Sequence, residues 1–97
     1  MSLPDDYTIT KVLVFLSVEK ALREINGSVF EKVTEILKTK YNSYLYDCYD
    51  HPEYLNQILK AFFGDCFVAI TDTIKKYLAE YSNRKKVNHF IEVVCNE

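Results

Sequence analysis

Apolar residues recur every three or four positions through most of the chain, and four stretches carry the pattern cleanly. Across residues 28–41, Val29, Phe30, Val33, Ile36, Leu37 and Tyr41 form one stripe, while Glu31, Lys32, Glu35, Lys38 and Lys40 fall opposite. Residues 52–63 repeat the pattern with Leu55, Ile58, Leu59 and Phe62, and residues 66–81 with Phe67, Ile70, Ile74, Tyr77, Leu78 and Tyr81. Residues 85–95 do so with Val87, Phe90, Ile91 and Val94. This recurrence marks an amphipathic helix with one buried face. Residues 8–25 differ. Their later part turns Ala21, Leu22 and Ile25 inward, but Ile9, Val12, Leu13, Val14, Phe15, Leu16 and Val18 are apolar on more than one side. Successive helices with short connections predict an all-α fold, a compact four- to five-helix bundle. Two stretches remain readable as strands from their β-branched and aromatic content, residues 11–16 and residues 89–95.

The punctuation between these stretches supports the helical assignment. Asp50 and Glu53 have capping-box spacing, and Pro52 stands in the first turn, where its missing N–H costs nothing. Gly64 is placed for a left-handed helix stop, with Asp65 ready to cap the next helix. Helices so tightly joined are expected to lie against each other as a hairpin. Asn26-Gly27 breaks the chain before Ser28, which makes a second capping box with Glu31, and Ser82 or Asn83 is placed to cap the last helix. The segment 42–50 is the least regular. With Tyr44, Leu45, Tyr46, Cys48 and Tyr49 it is expected to fold over the core, its rings buried and its hydroxyls reaching outward.

The 97 residues suit a single domain, 1–97, with one core. Residues 1–7 are expected to be a flexible lead-in, and Met1-Ser2-Leu3 is a candidate cloning remnant. A hydrophobic share of 48% is too high for a disordered chain, and 2 Gly with 2 Pro argue against a turn-rich β-sandwich. Twelve basic and 14 acidic residues give a formal charge of −2, which predicts no general attraction to nucleic acid or anionic lipid. Cys48, Cys66 and Cys95 are odd in number, widely spaced and without a CxxC pair, so a reducing, intracellular setting is expected rather than a disulfide framework. The longest apolar run, residues 12–16, is too short to cross a bilayer, and no basic region precedes an apolar run as in a signal peptide. The chain is therefore expected to be cytoplasmic, with no membrane partner.

Candidate chemistry is sparse. Cys48, Asp50 and His51 are close in sequence, but a structural zinc site needs four ligands in paired spacings, and the other histidine is the distant His89. Cys66 follows Asp65 at a helix start, where a thiol's pKa falls, yet Asp65 opposes that effect and Phe67 and Val68 predict burial. Among Asp47, Asp50, Glu53 and Asp65, two carboxylates are accounted for as caps. Neither a triad, a phosphate-binding glycine loop nor a nucleophile elbow is present, so no enzymatic activity, catalytic residue, metal or cofactor is expected. Arg84, Lys85 and Lys86, with Lys75 and Lys76 one helix earlier, form one basic cluster able to contact phosphates. The aromatic content says more. Eight Tyr and six Phe exceed what so small a core holds centrally, and aromatic residues at a surface are typical of protein interfaces.

The sequence from Asp47-Cys48 through His51-Pro52-Glu53, Leu55, Leu59, Phe63-Gly64 and the helix beginning at Asp65 resembles a small archaeal domain family. Its members are output-type domains that occur alone or fused to signalling receiver domains. The resemblance covers the middle half of the chain and implies a helical fold in a signalling context, without catalytic residues. The expected function is therefore a non-enzymatic protein–protein interaction or signal-output module, binding another protein or itself as a homodimer. Val14, Phe15, Tyr44, Tyr46 and Tyr49 are the expected partner surface. The alternative is a small nucleic-acid-binding regulator that uses the basic turn at residues 84–86.

Overall fold

The computed structural model describes residues 5–97. Five α-helices follow one another, α1 (Asp6–Ile25), α2 (Gly27–Lys40), α3 (Pro52–Phe62), α4 (Phe67–Leu78) and α5 (Lys85–Val94). Three short 3-10 turns lie between them, at Leu45–Tyr49, Gly64–Cys66 and Ala79–Tyr81. Among the described residues there is no strand, and residues 11–16 and 89–94 are helical. The β-branched residues of both stretches have partners in a helical core, and tertiary packing overrides their weak β preference.

The local stops are set by different residues from those the spacing predicts. Helix α1 starts at Asp6 because the Asp5 carboxylate accepts the Thr8 N–H at 2.8 Å, which shortens the expected lead-in. Asn26 closes α1 by donating its N–H to the Leu22 carbonyl and opens α2 by accepting the Ser28 N–H at 2.9 Å. Ser28 is thus inside α2, and its hydroxyl also donates to the Asn26 side chain. His51 begins α3 without a side-chain bond, because the Asp50 carboxylate is turned away toward α1. No glycine among the described residues has a positive φ. The left-handed residue is Asn42, at φ 49°, where the Ser43 N–H reaches back to the Leu37 carbonyl at 3.0 Å. Cys66 and Arg84 precede α4 and α5, and neither helix has a side-chain cap.

Val14, Val18, Ala21 and Leu22 of α1 meet Val33 and Leu37 of α2, Leu55, Ile58 and Leu59 of α3, Ile70, Ile74 and Leu78 of α4, and Val87, Phe90 and Val94 of α5 in one core. Helix α4 packs mainly on α1, and α3 packs mainly on α5 and then α2. The expected close hairpin of α3 and α4 does not form, because the Gly64–Cys66 turn sends the two helices to different neighbours. Asn56 on α3 is buried and donates to the Val94 and Asn96 carbonyls, both at 2.8 Å. It thereby satisfies carbonyls that the end of α5 leaves unpaired.

Candidate functional site

The buried face of α1 runs through Thr10, Lys11, Val14, Ser17, Val18, Ala21 and Leu22. At 100° per residue, Ile9, Val12 and Leu16 lie almost opposite. They are 39%, 38% and 53% exposed. Leu13 flanks them and leads into a shallow groove of about 150 Å³, bounded by Leu16, Lys20, Tyr77 and Tyr81. On its other side it borders a wholly apolar hollow of about 230 Å³ formed with Thr8, Ile9 and Val12. Helix α1 therefore has an inner apolar face in the core and an outer one in solvent.

This arrangement redistributes the expected partner residues. Val14 is 1% exposed and belongs to the core, so it is not a surface position. Phe15 is half-buried and meets the Tyr46 ring edge-on, with centroids 5.6 Å apart. Tyr44 is 68% exposed. Tyr46 and Tyr49 are half-buried around the 3-10 turn that buries Leu45 and Cys48. Ile9, Val12 and Leu16 complete the outer surface and were not among the expected positions. They were accessible in principle. Extending the Ala21–Leu22 face backward by helical spacing reaches Val18 and Val14, which leaves Ile9, Val12 and Leu16 on the far side.

A polar network ties α1 to the tyrosine-rich turn. Lys11, only 9% exposed, donates to Asp50 at 2.8 Å and lies 3.7 Å from Asp47. Its ammonium sits over the Tyr46 ring at 4.5 Å, a cation–π contact. Tyr7 donates its hydroxyl to Asp50 at 2.6 Å. Burial pushes the Asp50 carboxyl up, but the hydrogen bonds from Lys11 and Tyr7 and the Lys11 charge outweigh it, leaving the group below its ordinary value. The hydrogen bond to Asp50 holds Lys11 above the ordinary lysine value and raises Tyr7 as well. Neither Lys11 nor its pairing was apparent from the chain, because Lys11 and Asp50 are 39 residues apart.

Next to this network is a cleft of about 440 Å³ lined by Tyr7, Tyr49, Asp50, Lys85, Lys86, His89 and Phe90. It splits the basic cluster. Arg84 is committed internally, donating to Asp6 at 2.6 Å and to the Thr10 hydroxyl at 2.9 Å. Lys76 pairs with Glu24 at 3.6 Å. Lys85 and Lys86 line the cleft, and among the described residues neither is within ion-pair distance of a carboxylate.

The cysteines also separate. Cys48 is buried, and burial pushes its thiol up to about 12. Cys95 is half-buried and raised for the same reason. Cys66 is exposed, contrary to the burial expected from Phe67 and Val68, because Phe67 turns into the core while Val68 is 55% exposed. Among the described residues, no group of three or more His, Cys, Asp or Glu is placed to hold a metal ion. No described helix is long and apolar enough to cross a membrane. The chain matches no protein-family model, no curated protein and no solved structure.

Proposed function

We propose that the chain is a non-enzymatic interaction module that pairs with a second copy of itself through the outer face of α1. The observation that carries this is the row Ile9, Val12 and Leu16, an apolar seam directly opposite the core-facing side of the same helix. A second copy set antiparallel about a two-fold axis lets each seam cover the other, with Val12 facing Leu16, while the charges at its C-terminal end are paired within the chain, Arg23 with Glu19 at 3.3 Å and Glu24 with Lys76 at 3.6 Å. Phe15, on the flank of α1 between the seam and the core, meets Tyr46 edge-on at 5.6 Å between centroids. The signal-output role implied by the family resemblance is compatible with such a module and is part of the proposal.

Nucleic-acid binding through residues 84–86 has less support. Arg84 already has a carboxylate partner, which leaves two lysines for phosphate.

Light scattering over a wide concentration range tests the pairing, with Leu16→Glu as the partner-free variant. Mass is expected to rise from 11.4 kDa toward twice that value as concentration increases. Full burial of a leucine contributes about 1.5–3 kcal/mol, so the exposed half of Leu16 accounts for roughly 1 kcal/mol per copy and about 2 kcal/mol per dimer. The variant should therefore weaken association by at least about 30-fold. Its melting temperature should stay close to that of the parent monomer. A parent chain that stays monomeric at every concentration, or a folded variant that pairs equally well, removes the proposal.

A further inference from the structure

The cleft beside α5 has a composition unlike the rest of the surface. Tyr7 and Tyr49 form its aromatic wall, inclined to each other at 5.7 Å between centroids, and Phe90, 1% exposed, backs Tyr49 from the core at 6.5 Å. Lys85, Lys86 and His89 come from one side, on the first two turns of α5. Asp50 is the acidic residue in the lining, and its charge is already met by Lys11 at 2.8 Å and by the Tyr7 hydroxyl. The uncommitted charge in the cleft is therefore positive. Helix α5 begins there without a side-chain cap, so the partial positive charge of its N-terminus has the same sign. In addition, the Tyr49 hydroxyl is buried without a hydrogen-bond partner, the one such side-chain atom among the described residues. A polar atom left unpaired in this way is costly. The volume of about 440 Å³ falls in the range of small-molecule sites.

We propose that this cleft binds a small planar ligand carrying an anionic head group, an aromatic or heteroaromatic phosphate or carboxylate. The ring would lie against Tyr7 and Tyr49 at the mouth of the cleft, with buried Phe90 behind them, and the head group would meet Lys85 and Lys86. Aromatic walls alone would accept neutral rings, and lysines alone would accept any anion. The combination selects for both features in one molecule.

The test is amide chemical-shift mapping of the full chain at physiological ionic strength with four probes: phenyl phosphate, benzoate, inorganic phosphate and benzyl alcohol. Saturable shifts confined to Tyr49, Lys85, Lys86, His89 and Phe90 are expected with phenyl phosphate or benzoate, and the tighter of the two identifies the head group. Inorganic phosphate and benzyl alcohol should each bind at least tenfold more weakly. The double variant Lys85→Ala, Lys86→Ala alters two exposed side chains, so it should keep the parent's amide dispersion and lose at least tenfold in affinity. The proposal is overturned by non-saturating shifts with both aromatic anions, by shifts centred elsewhere, or by unchanged affinity in the double variant. Binding of benzyl alcohol or inorganic phosphate as tight as that of the aromatic anions overturns it too.

Discussion

The Lys11–Asp50 pair makes opposite substitutions unequal, and the inequality can be worked out from exposure. The Lys11 side chain is 11% exposed and that of Asp50 is 35% exposed. Breaking one side of a fully buried pair costs about 3–5 kcal/mol, whereas an exposed pair contributes about 0–1 kcal/mol. Asp50→Asn leaves a nearly buried ammonium with only Asp47, at 3.7 Å, as a charged partner. Between the two limits, and discounted for the solvent that reaches Asp50, the cost is about 1–2 kcal/mol. For a domain of this size that lowers the melting temperature by roughly 5–15 °C. Lys11→Met keeps the packed stem and leaves a carboxylate that water reaches and that Tyr7 still bonds at 2.6 Å, so its cost should stay below about 1 kcal/mol.

The pH dependence has a definite sign. The folded Asp50 carboxyl lies below its ordinary value of 3.8. Its contribution is therefore complete above about pH 4–5 and is lost as pH falls through the lower, folded value. Thermal melts of the parent, both single variants and the double variant from pH 3 to pH 8 give the coupling energy. We expect about 1 kcal/mol of coupling at pH 7, shrinking at the acid end. If Asp50 acted as the helix cap its spacing implies, Asn would replace it without loss, since both cap well, and Lys11→Met would be independent. A silent Asp50→Asn, or a coupling energy below about 0.3 kcal/mol at pH 7, would refute the argument.

Asn56→Ala removes both donors to the Val94 and Asn96 carbonyls and should cost about 1–3 kcal/mol by urea denaturation. Asn56→Asp should be worse at neutral pH and recover partly on acidification, because the introduced carboxylate faces two carbonyl oxygens until it is protonated. Equal losses at pH 4 and pH 7 would count against that geometry. Tyr49→Phe deletes a buried hydroxyl without a partner, so melting should stay level or rise by an amount corresponding to up to about 1 kcal/mol. A clear drop would mean that the hydroxyl is bonded after all. Thiol labelling of the native chain should modify exposed Cys66 first and buried Cys48 only on unfolding, with mass spectrometry of the digested protein reporting the order.

Helix number and inward faces were legible along the chain because both depend on residues within a turn or two of each other. Leu55, Ile58 and Leu59, or Ile70, Ile74 and Leu78, share a face by helical geometry whichever partner they meet, and all six are buried, whereas Phe62, the fourth member of the expected α3 stripe, is 42% exposed at the helix end. Capping was less legible. Asp50 and Asp65 have suitable side chains at suitable positions, but a carboxylate binds whatever donor is nearest, and Lys11 reaches Asp50 from another helix. The pairing of helices was not legible at all. That α4 lies on α1 and α3 on α5 follows from the direction of the turn at Gly64–Cys66 and from how the stripes interdigitate, both long-range properties. The same limit governed the site. Fourteen Tyr and Phe residues and an over-apolar first helix pointed to an interface, yet which residues remained outside depended on the single side of α1 that the other helices cover. Packing buried Val14, left Ile9, Val12 and Leu16 in solvent, committed Arg84 to Asp6, and gathered Tyr7, Tyr49, Lys85 and Phe90 from three distant segments around one cleft. Periodicity assigns a residue to a face of its own helix, whereas only the assembled bundle determines which faces are covered and which side chains meet.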